Sequence, residues 1–179
     1  MGKERVGRAW RPALRTVVTS PVHWLAFGFG TGLAPVAPGT FGTLVGIPLW
    51  LLLRPLPLAH YLGAIVVLFA IGCWICGASA RQLGVHDYGG IVFDEIVGYA
   101  IAATPLIPVL EMPALPLPVA ATVAFVLFRF FDIVKPWPIS ALDRRVHGGL
   151  GIMLDDAVAG LFAALVIMLG LAVYHDAVT

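Results

Sequence analysis

The sequence predicts an all-α protein, a polytopic membrane helical bundle with four or five spans. Of its 179 residues, 60% are hydrophobic and 12% are charged, whereas soluble domains carry about 25% charged residues. The mean hydropathy is +0.95. Its long apolar segments are separated by short breaks rich in proline and glycine, which is typical of membrane-spanning helices. Water is therefore not expected to be the only solvent of this chain.

Five apolar segments account for the predicted spans. They run roughly over residues 44–53, 58–77, 96–110, 117–131 and 157–173. A full span needs about 20 residues, so we expect the first and third segments to be tilted or partly buried in the bundle. Pro55 and Pro57 end one segment, and a proline-rich turn over residues 105–118 separates two others.

Basic residues divide the chain and orient it. Residues 1–20 form a basic N-terminal segment without the apolar core of a signal peptide, and residues 21–179 form one membrane domain. We predict that the first segment is an amphipathic helix on anionic membrane lipids, and the alternative is a solvated tail. With five spans, all basic segments fall on the cytoplasmic side. The net charge of +1 gives no reason to expect a nucleic-acid partner.

A short motif, H-x-x-x-G-I-x-x-D-[DE], occurs at residues 86–95 and again at residues 147–156. In each copy the glycines are predicted to form a turn and the carboxylates to stand where a helix begins, at Ile96 or Ala157 onward. The five-span topology puts both copies on the cytoplasmic face. We therefore expect the two helix starts to lie close together.

The acidic residues of the two copies predict a metal site. Asp94 would face Asp155, and Glu95 would face Asp156, so that both helix starts supply ligands. Hard oxygen ligands that leave room for water and phosphate suit Mg²⁺. The alternative is that these acids only cap helix N-termini.

Histidines and cations are the other candidates for chemistry. His86 and His147 are suited to protonate a leaving oxygen or to contact phosphate, although loop histidines are also often turn or interface residues. Arg129 and Asp132 are spaced to share one helix face, and Pro136 is predicted to end that helix just after Lys135. Such cations bind phosphate, and the alternative is a basic cluster with salt-bridged aspartates at the membrane edge.

The glycine-rich loop over residues 27–43 is the third polar segment on this face. Its backbone amides could turn toward an anion, and Thr40 or Thr43 could cap the following helix. It lacks the lysine of a nucleotide-binding loop and follows no strand, so no nucleotide is expected. A helix-packing turn is an equally good interpretation of the same residues.

Taken together, the motifs at residues 28–40, 86–95, 129–138 and 143–156 resemble those of the phosphatidylglycerophosphatase A family, in order and over roughly residues 20–175. The resemblance implies an all-helical, Mg²⁺-dependent lipid phosphatase of the bacterial inner membrane, acting in phosphatidylglycerol biosynthesis. Its active site would lie on the cytoplasmic face. Such an enzyme hydrolyses phosphatidylglycerophosphate to phosphatidylglycerol and phosphate.

The resemblance also implies roles for single residues. Mg²⁺ would be held by the four acids of the motif copies and would polarise the phosphate and activate a water. Asp132 or Asp143 would complete the metal shell or position the water, and a histidine would protonate the leaving oxygen. The implied phosphate-binding residues are Arg129, Lys135, Arg144, Thr31 and Thr40. A covalent aspartyl route and the number of metal ions remain open.

A protein of another class is the main alternative, a small ion or phosphate transporter subunit with a carboxylate-lined path. A transporter would place its charges in the middle of spans. Here nearly all of the charges lie at the ends of the apolar segments. That distribution favours an active site at the membrane surface.

Overall fold

The computed structural model describes residues 12–85, 88–107 and 116–178, with side chains up to residue 174. These residues form α-helices without any strand, which confirms the all-α prediction. The helices are α1 (Leu14–Thr19), α2 (Pro21–Ala26), α3 (Pro38–Leu53), α4 (Leu58–Leu83), α5 (Phe93–Ala102), α6 (Leu117–Val134), α7 (Ile139–Arg145) and α8 (Gly148–Val178). Much of the predicted amphipathic N-terminal helix lies outside the described residues.

Three of the described helices are long and apolar enough to cross a membrane, namely α4, α6 and the part of α8 up to Tyr174. Helix α3 has 16 residues and α5 has 10, so both are shorter than a full span. The count of four or five spans therefore stays a prediction. Helix α5 packs against α3, α4, α6 and α8, and most of its side chains are buried. The part of the third apolar segment that forms α5 is thus largely buried within the bundle, in line with the expectation drawn from its length.

Hydrogen bonds from buried tyrosines and close glycine contacts hold α5 at the centre of the bundle. The Tyr61 hydroxyl on α4 donates to the Ala100 carbonyl at 2.6 Å, and the Tyr99 hydroxyl donates to the Ala121 carbonyl of α6 at 3.2 Å. A Cβ at Gly160 of α8 would lie 2.5 Å from the carbonyl oxygen of Gly98 on α5. Because membrane helices gain little from apolar contact alone, such close backbone approaches are a main source of packing energy between them.

The two copies of the repeated motif differ in structure. In the first copy a turn precedes α5 and the carboxylate pair lies in the first turn of that helix, as predicted, although α5 begins at Phe93 and not at the predicted Ile96. In the second copy the expectation of a helix start near Ala157 is wrong, because α8 already begins at Gly148. Gly149 of the second copy serves helix packing, because a Cβ there would overlap the carbonyl oxygen of Cys73 on α4. Tertiary packing therefore overrides the weak helix propensity of glycine here.

The contact at Gly149 predicts a large loss of stability for Gly149→Ala. The added methyl group would meet backbone atoms of Cys73 and Gly77, which cannot move aside as a side chain can, and overpacking of this kind costs about 1–3 kcal/mol. We expect a lower thermal unfolding temperature in detergent. The control is Gly170→Ala in the same helix, where no atom lies within 4 Å. Equal unfolding temperatures for the two variants would contradict this packing.

Candidate active site

Three carboxylates from two helices form an acidic group, which consists of Asp94, Glu95 and Asp156. One carboxylate oxygen from each lies within 4.8 Å of the other two. Asp94 and Glu95 stand in the first turn of α5, and Asp156 lies in α8. The two helices approach closely because Gly98 has no side chain, and a Cβ there would lie 3.0 Å from the backbone oxygen of Asp156. The prediction that the two motif copies meet is confirmed.

Asp156 is buried, Asp94 and Glu95 are half-buried, and two of these carboxylates have an oxygen without a hydrogen-bond partner among the described residues. The side chain of Asp156 is only 3% exposed. Glu95 Oε2 and Asp156 Oδ2 are buried and accept no hydrogen bond within the part of the chain that the structure describes. Burial and the neighbouring Asp156 carboxylate raise the pKa of Glu95 to about 8. An all-oxygen set of this kind, short of positive charge, fits a hard divalent cation.

Helix capping does not account for the acidic group. The N-cap of α5 is Val92, whose side chain makes no capping bond, although the position of Asp94 and Glu95 in the first turn suits the helix dipole. Asp156 lies well inside α8, away from its N-terminus. Asp94 and Glu95 can therefore stabilise a helix end, but Asp156 cannot.

A salt bridge on α6 borders the acidic group. Arg129 Nη1 lies 2.5 Å from Asp132 Oδ2, which confirms that these residues share one helix face. Asp132 is next to Asp156, and Arg129 is close to Glu95. Arg129 Nε is buried and donates no hydrogen bond to the described residues. One nitrogen of this guanidinium is therefore left to bind an anion beside the acidic group.

Lys135 joins two further aspartates. It caps the C-terminus of α6 in the left-handed conformation, with φ of 44°, and the helix ends before Pro136 as predicted. Its ammonium group pairs with Asp155 Oδ2 and lies 3.3 Å from Asp143 Oδ1. Burial lowers the pKa of Lys135, but the carboxylates of Asp155 and Asp143 raise it above its usual value overall. Lys135 is therefore charged at neutral pH.

The expected pairing of acids across the motif copies differs from the observed one. Asp94 and Glu95 both group with Asp156, while Asp155 pairs with Lys135. The physical reason is that α8 is helical throughout this region, so adjacent side chains point about 100° apart. The role of Asp155 as a metal ligand stays a prediction.

The predicted threonines lie in the glycine-rich loop region on this side of the bundle. Thr31 donates a hydrogen bond from Oγ1 to the Gly28 carbonyl at 2.8 Å. Thr40 is half-buried in the first turn of α3. The loop meets the first motif copy directly, since a Cβ at Gly32 would overlap the carbonyl oxygen of Gly90. Phosphate binding by Thr31 and Thr40 stays a prediction.

The remaining predicted residues lie at the edge of this region. Arg144 is exposed in the last turn of α7, and His147 is exposed in the link between α7 and α8. His86 lies outside the described residues. The catalytic roles of both histidines and the phosphate contact of Arg144 stay predictions.

Gly39 belongs to the site, although the sequence analysis assigned it no function. A Cβ there would overlap Glu95 Oε1 and lie 3.1 Å from Arg129 Nη1. It is the first of three glycines at helical spacing on α3, and the other two, Gly42 and Gly46, face Val92 and Tyr99 in the same way. The spacing of these glycines predicts a close helix contact. Only the fold shows that the contact reaches the acidic group.

Comparison with known proteins gives consistent matches. The family model of phosphatidylglycerophosphatase A matches residues 24–171. The Escherichia coli protein named phosphatidylglycerophosphatase A is 45% identical over 152 residues, covering 84% of this chain and 83% of its own. The Haemophilus influenzae protein of that name is 41% identical over 157 residues, covering 87% and 92%. A Bacteroides thetaiotaomicron protein named putative phosphatidylinositol-3-phosphatase is 39% identical over 145 residues, covering 78% and 87%. No solved structure matches the chain significantly.

Proposed function

The chain belongs to the phosphatidylglycerophosphatase A family, and from this membership we propose that it hydrolyses phosphatidylglycerophosphate to phosphatidylglycerol and phosphate in a Mg²⁺-dependent reaction. The observation that carries the proposal is the acidic group beside Arg129 and Lys135. Carboxylates for a metal ion and cations for a phosphomonoester lie together, at the start of α5, within α8 and towards the end of α6. A lipid headgroup at the membrane surface could reach such a site.

The acidic group would hold the metal ion. Asp94, Glu95 and Asp156 supply three carboxylates, two of which have buried oxygens without a hydrogen-bond partner among the described residues. When bound, Mg²⁺ supplies Lewis-acid polarisation of a phosphoryl oxygen. The burial of the site strengthens this interaction because water is largely excluded from it.

The cations of the chain bind and orient the phosphate. Arg129 keeps one buried nitrogen available while Asp132 fixes its guanidinium, and Lys135 is held between two aspartates. Fixed cations stabilise the charge that develops on the equatorial phosphoryl oxygens. A water oxygen bonds to phosphorus as the phosphorus–oxygen ester bond breaks, and the leaving glycerol oxygen takes up a proton. His147 is our candidate for its source.

The apolar helices and the distribution of basic residues support a location in the bacterial inner membrane. The three long apolar helices make this a membrane protein by length and composition. We place the active site at the cytoplasmic face of the bacterial inner membrane, because Arg129, Lys135 and Arg144 lie on that side under the positive-inside rule. The basic N-terminal segment would add attraction to anionic lipids.

A second lipid substrate and a transport function are the alternatives to this proposal. The Bacteroides thetaiotaomicron relative is named for phosphatidylinositol 3-phosphate, which also carries a phosphomonoester on a membrane lipid, so this lipid is a second candidate substrate. The relatives' names favour a phosphatase over the transporter alternative.

Phosphate release in detergent micelles tests the proposal and its metal dependence. We expect the purified protein to release phosphate from phosphatidylglycerophosphate, to lose this activity on chelation with EDTA, and to regain it with Mg²⁺. A kcat/KM higher for phosphatidylinositol 3-phosphate would favour the second substrate. An Asp94→Asn variant serves as the control for contaminating phosphatases. Full activity in EDTA would exclude the Mg²⁺ requirement, and no release from either lipid would overturn the proposed function.

A further inference from the structure

We propose that the Lys135 ammonium group occupies the place of a second cation, so that the active site binds a single divalent ion. The inference rests on the proposed function, because it concerns the metal site of that reaction. It starts from how the carboxylates of the site divide. Asp94, Glu95 and Asp156 form the acidic group, whereas Asp143 and Asp155 contact Lys135.

Enzymes that use two metal ions for phosphate chemistry hold them about 3.5–4 Å apart, which requires carboxylates for each ion. Asp155 and Asp156 are adjacent in α8 and would be natural ligands for neighbouring ions. Asp155, however, already pairs with a lysine, and so does Asp143 from α7. The carboxylates that a second ion would need are thus already paired with a side chain of the protein itself.

The position of Lys135 suits this role. Its ammonium group contacts Asp155, the direct neighbour of Asp156 in α8, so it lies beside the acidic group. Its two partners come from different elements, since Asp143 lies on α7 and Asp155 on α8, while Lys135 itself directly follows α6. A lysine held from several sides provides a fixed point charge that can also contact phosphate.

The acidic group has an independent feature that points to one ion. Asp156 is only 3% exposed, and its Oδ2 atom accepts no hydrogen bond from the described residues. Glu95 Oε2 is in the same situation. A buried carboxylate oxygen without a partner is costly, and a single divalent ion bound by this group would remove that cost.

Counting bound Mn²⁺ tests the inference without relying on activity. Mn²⁺ shares the preference of Mg²⁺ for oxygen ligands and is detected by electron paramagnetic resonance. In a non-ionic detergent we expect one Mn²⁺ per chain for the wild type and for Lys135→Arg, which keeps the positive charge at this position. Lys135→Gln frees Asp143 and Asp155, and we expect it to bind two ions. Adding Asp143→Asn and Asp155→Asn to Lys135→Gln should return the count to one.

Each outcome decides the question. Two ions in the wild type would overturn the inference, and so would a single ion in a Lys135→Gln variant with normal helix content and a monodisperse elution profile. If that variant does not fold, the counts for the wild type and Lys135→Arg still test the single-ion site. No bound ion in the wild type would overturn the metal site as well. Phosphate release from phosphatidylglycerophosphate, measured on the same samples, separates these results from a failure of the proposed function.

Discussion

Asp156→Asn is expected to lower kcat for phosphate release by about 10³-fold or more. The change keeps the shape of the side chain and removes one negative charge from the acidic group, where Asp156 is almost fully buried. A bound divalent ion contributes several kcal/mol of transition-state stabilisation, and each 1.4 kcal/mol is a factor of 10 in rate. The measurement is phosphate release at saturating lipid over a range of Mg²⁺ concentrations.

Asp155→Asn is the matched comparison, because the two aspartates are adjacent in the same helix and have different partners. Asp155 pairs with Lys135 rather than with the acidic group. We expect its substitution to lower activity by about 10–100-fold, as is common for residues that orient a site, because Lys135 would lose one of the carboxylates that fix its position. Mn²⁺ affinity should fall sharply in Asp156→Asn and much less in Asp155→Asn. Equal losses of affinity would contradict the division of the carboxylates seen here.

Local features of the sequence predicted much of the fold. The apolar segments beginning at residues 58 and 117 correspond to α4 and α6, because hydrophobic length and flanking prolines act within one element. The end of α6 before Pro136 and the salt bridge between Arg129 and Asp132 were predictable for the same reason. Both depend on spacing along a single helix.

Features that depend on contacts between helices were not predictable in this way. The glycines near Gly149 suggested a turn, yet α8 already includes them, and Gly149 packs closely against the backbone of α4. The similarity of the two motif copies suggested equivalent carboxylate pairs. Since one copy leads into α5 and the other is already helical, equivalent positions in sequence have different neighbours in space. Asp155 therefore meets Lys135 while Asp94 and Glu95 meet Asp156.

Gly39→Ala is expected to lower kcat/KM by about 10²-fold without removing any group that acts in the reaction. The new methyl group would overlap Glu95 Oε1 and crowd Arg129 Nη1, so a metal ligand and a phosphate-binding cation would both have to shift. Misplacement of reacting groups by about 1 Å can cost about 10²-fold in rate. The measurement is phosphate release together with inhibition by inorganic phosphate, which reports binding at the same cations.

Gly63→Ala is the control for the effect of the substitution on a helix. Gly63 is exposed on α4 with no atom within 4 Å of the added Cβ, and alanine favours a helix over glycine by about 1 kcal/mol. We expect Gly63→Ala to keep the wild-type kcat/KM and Gly39→Ala to show the lower value. Gly39→Ala should still fold, since its methyl group clashes with the ends of flexible side chains and not with backbone atoms. Wild-type kcat/KM in Gly39→Ala would show that Glu95 and Arg129 can move aside without cost, and the close approach of α3 would then have no part in positioning them.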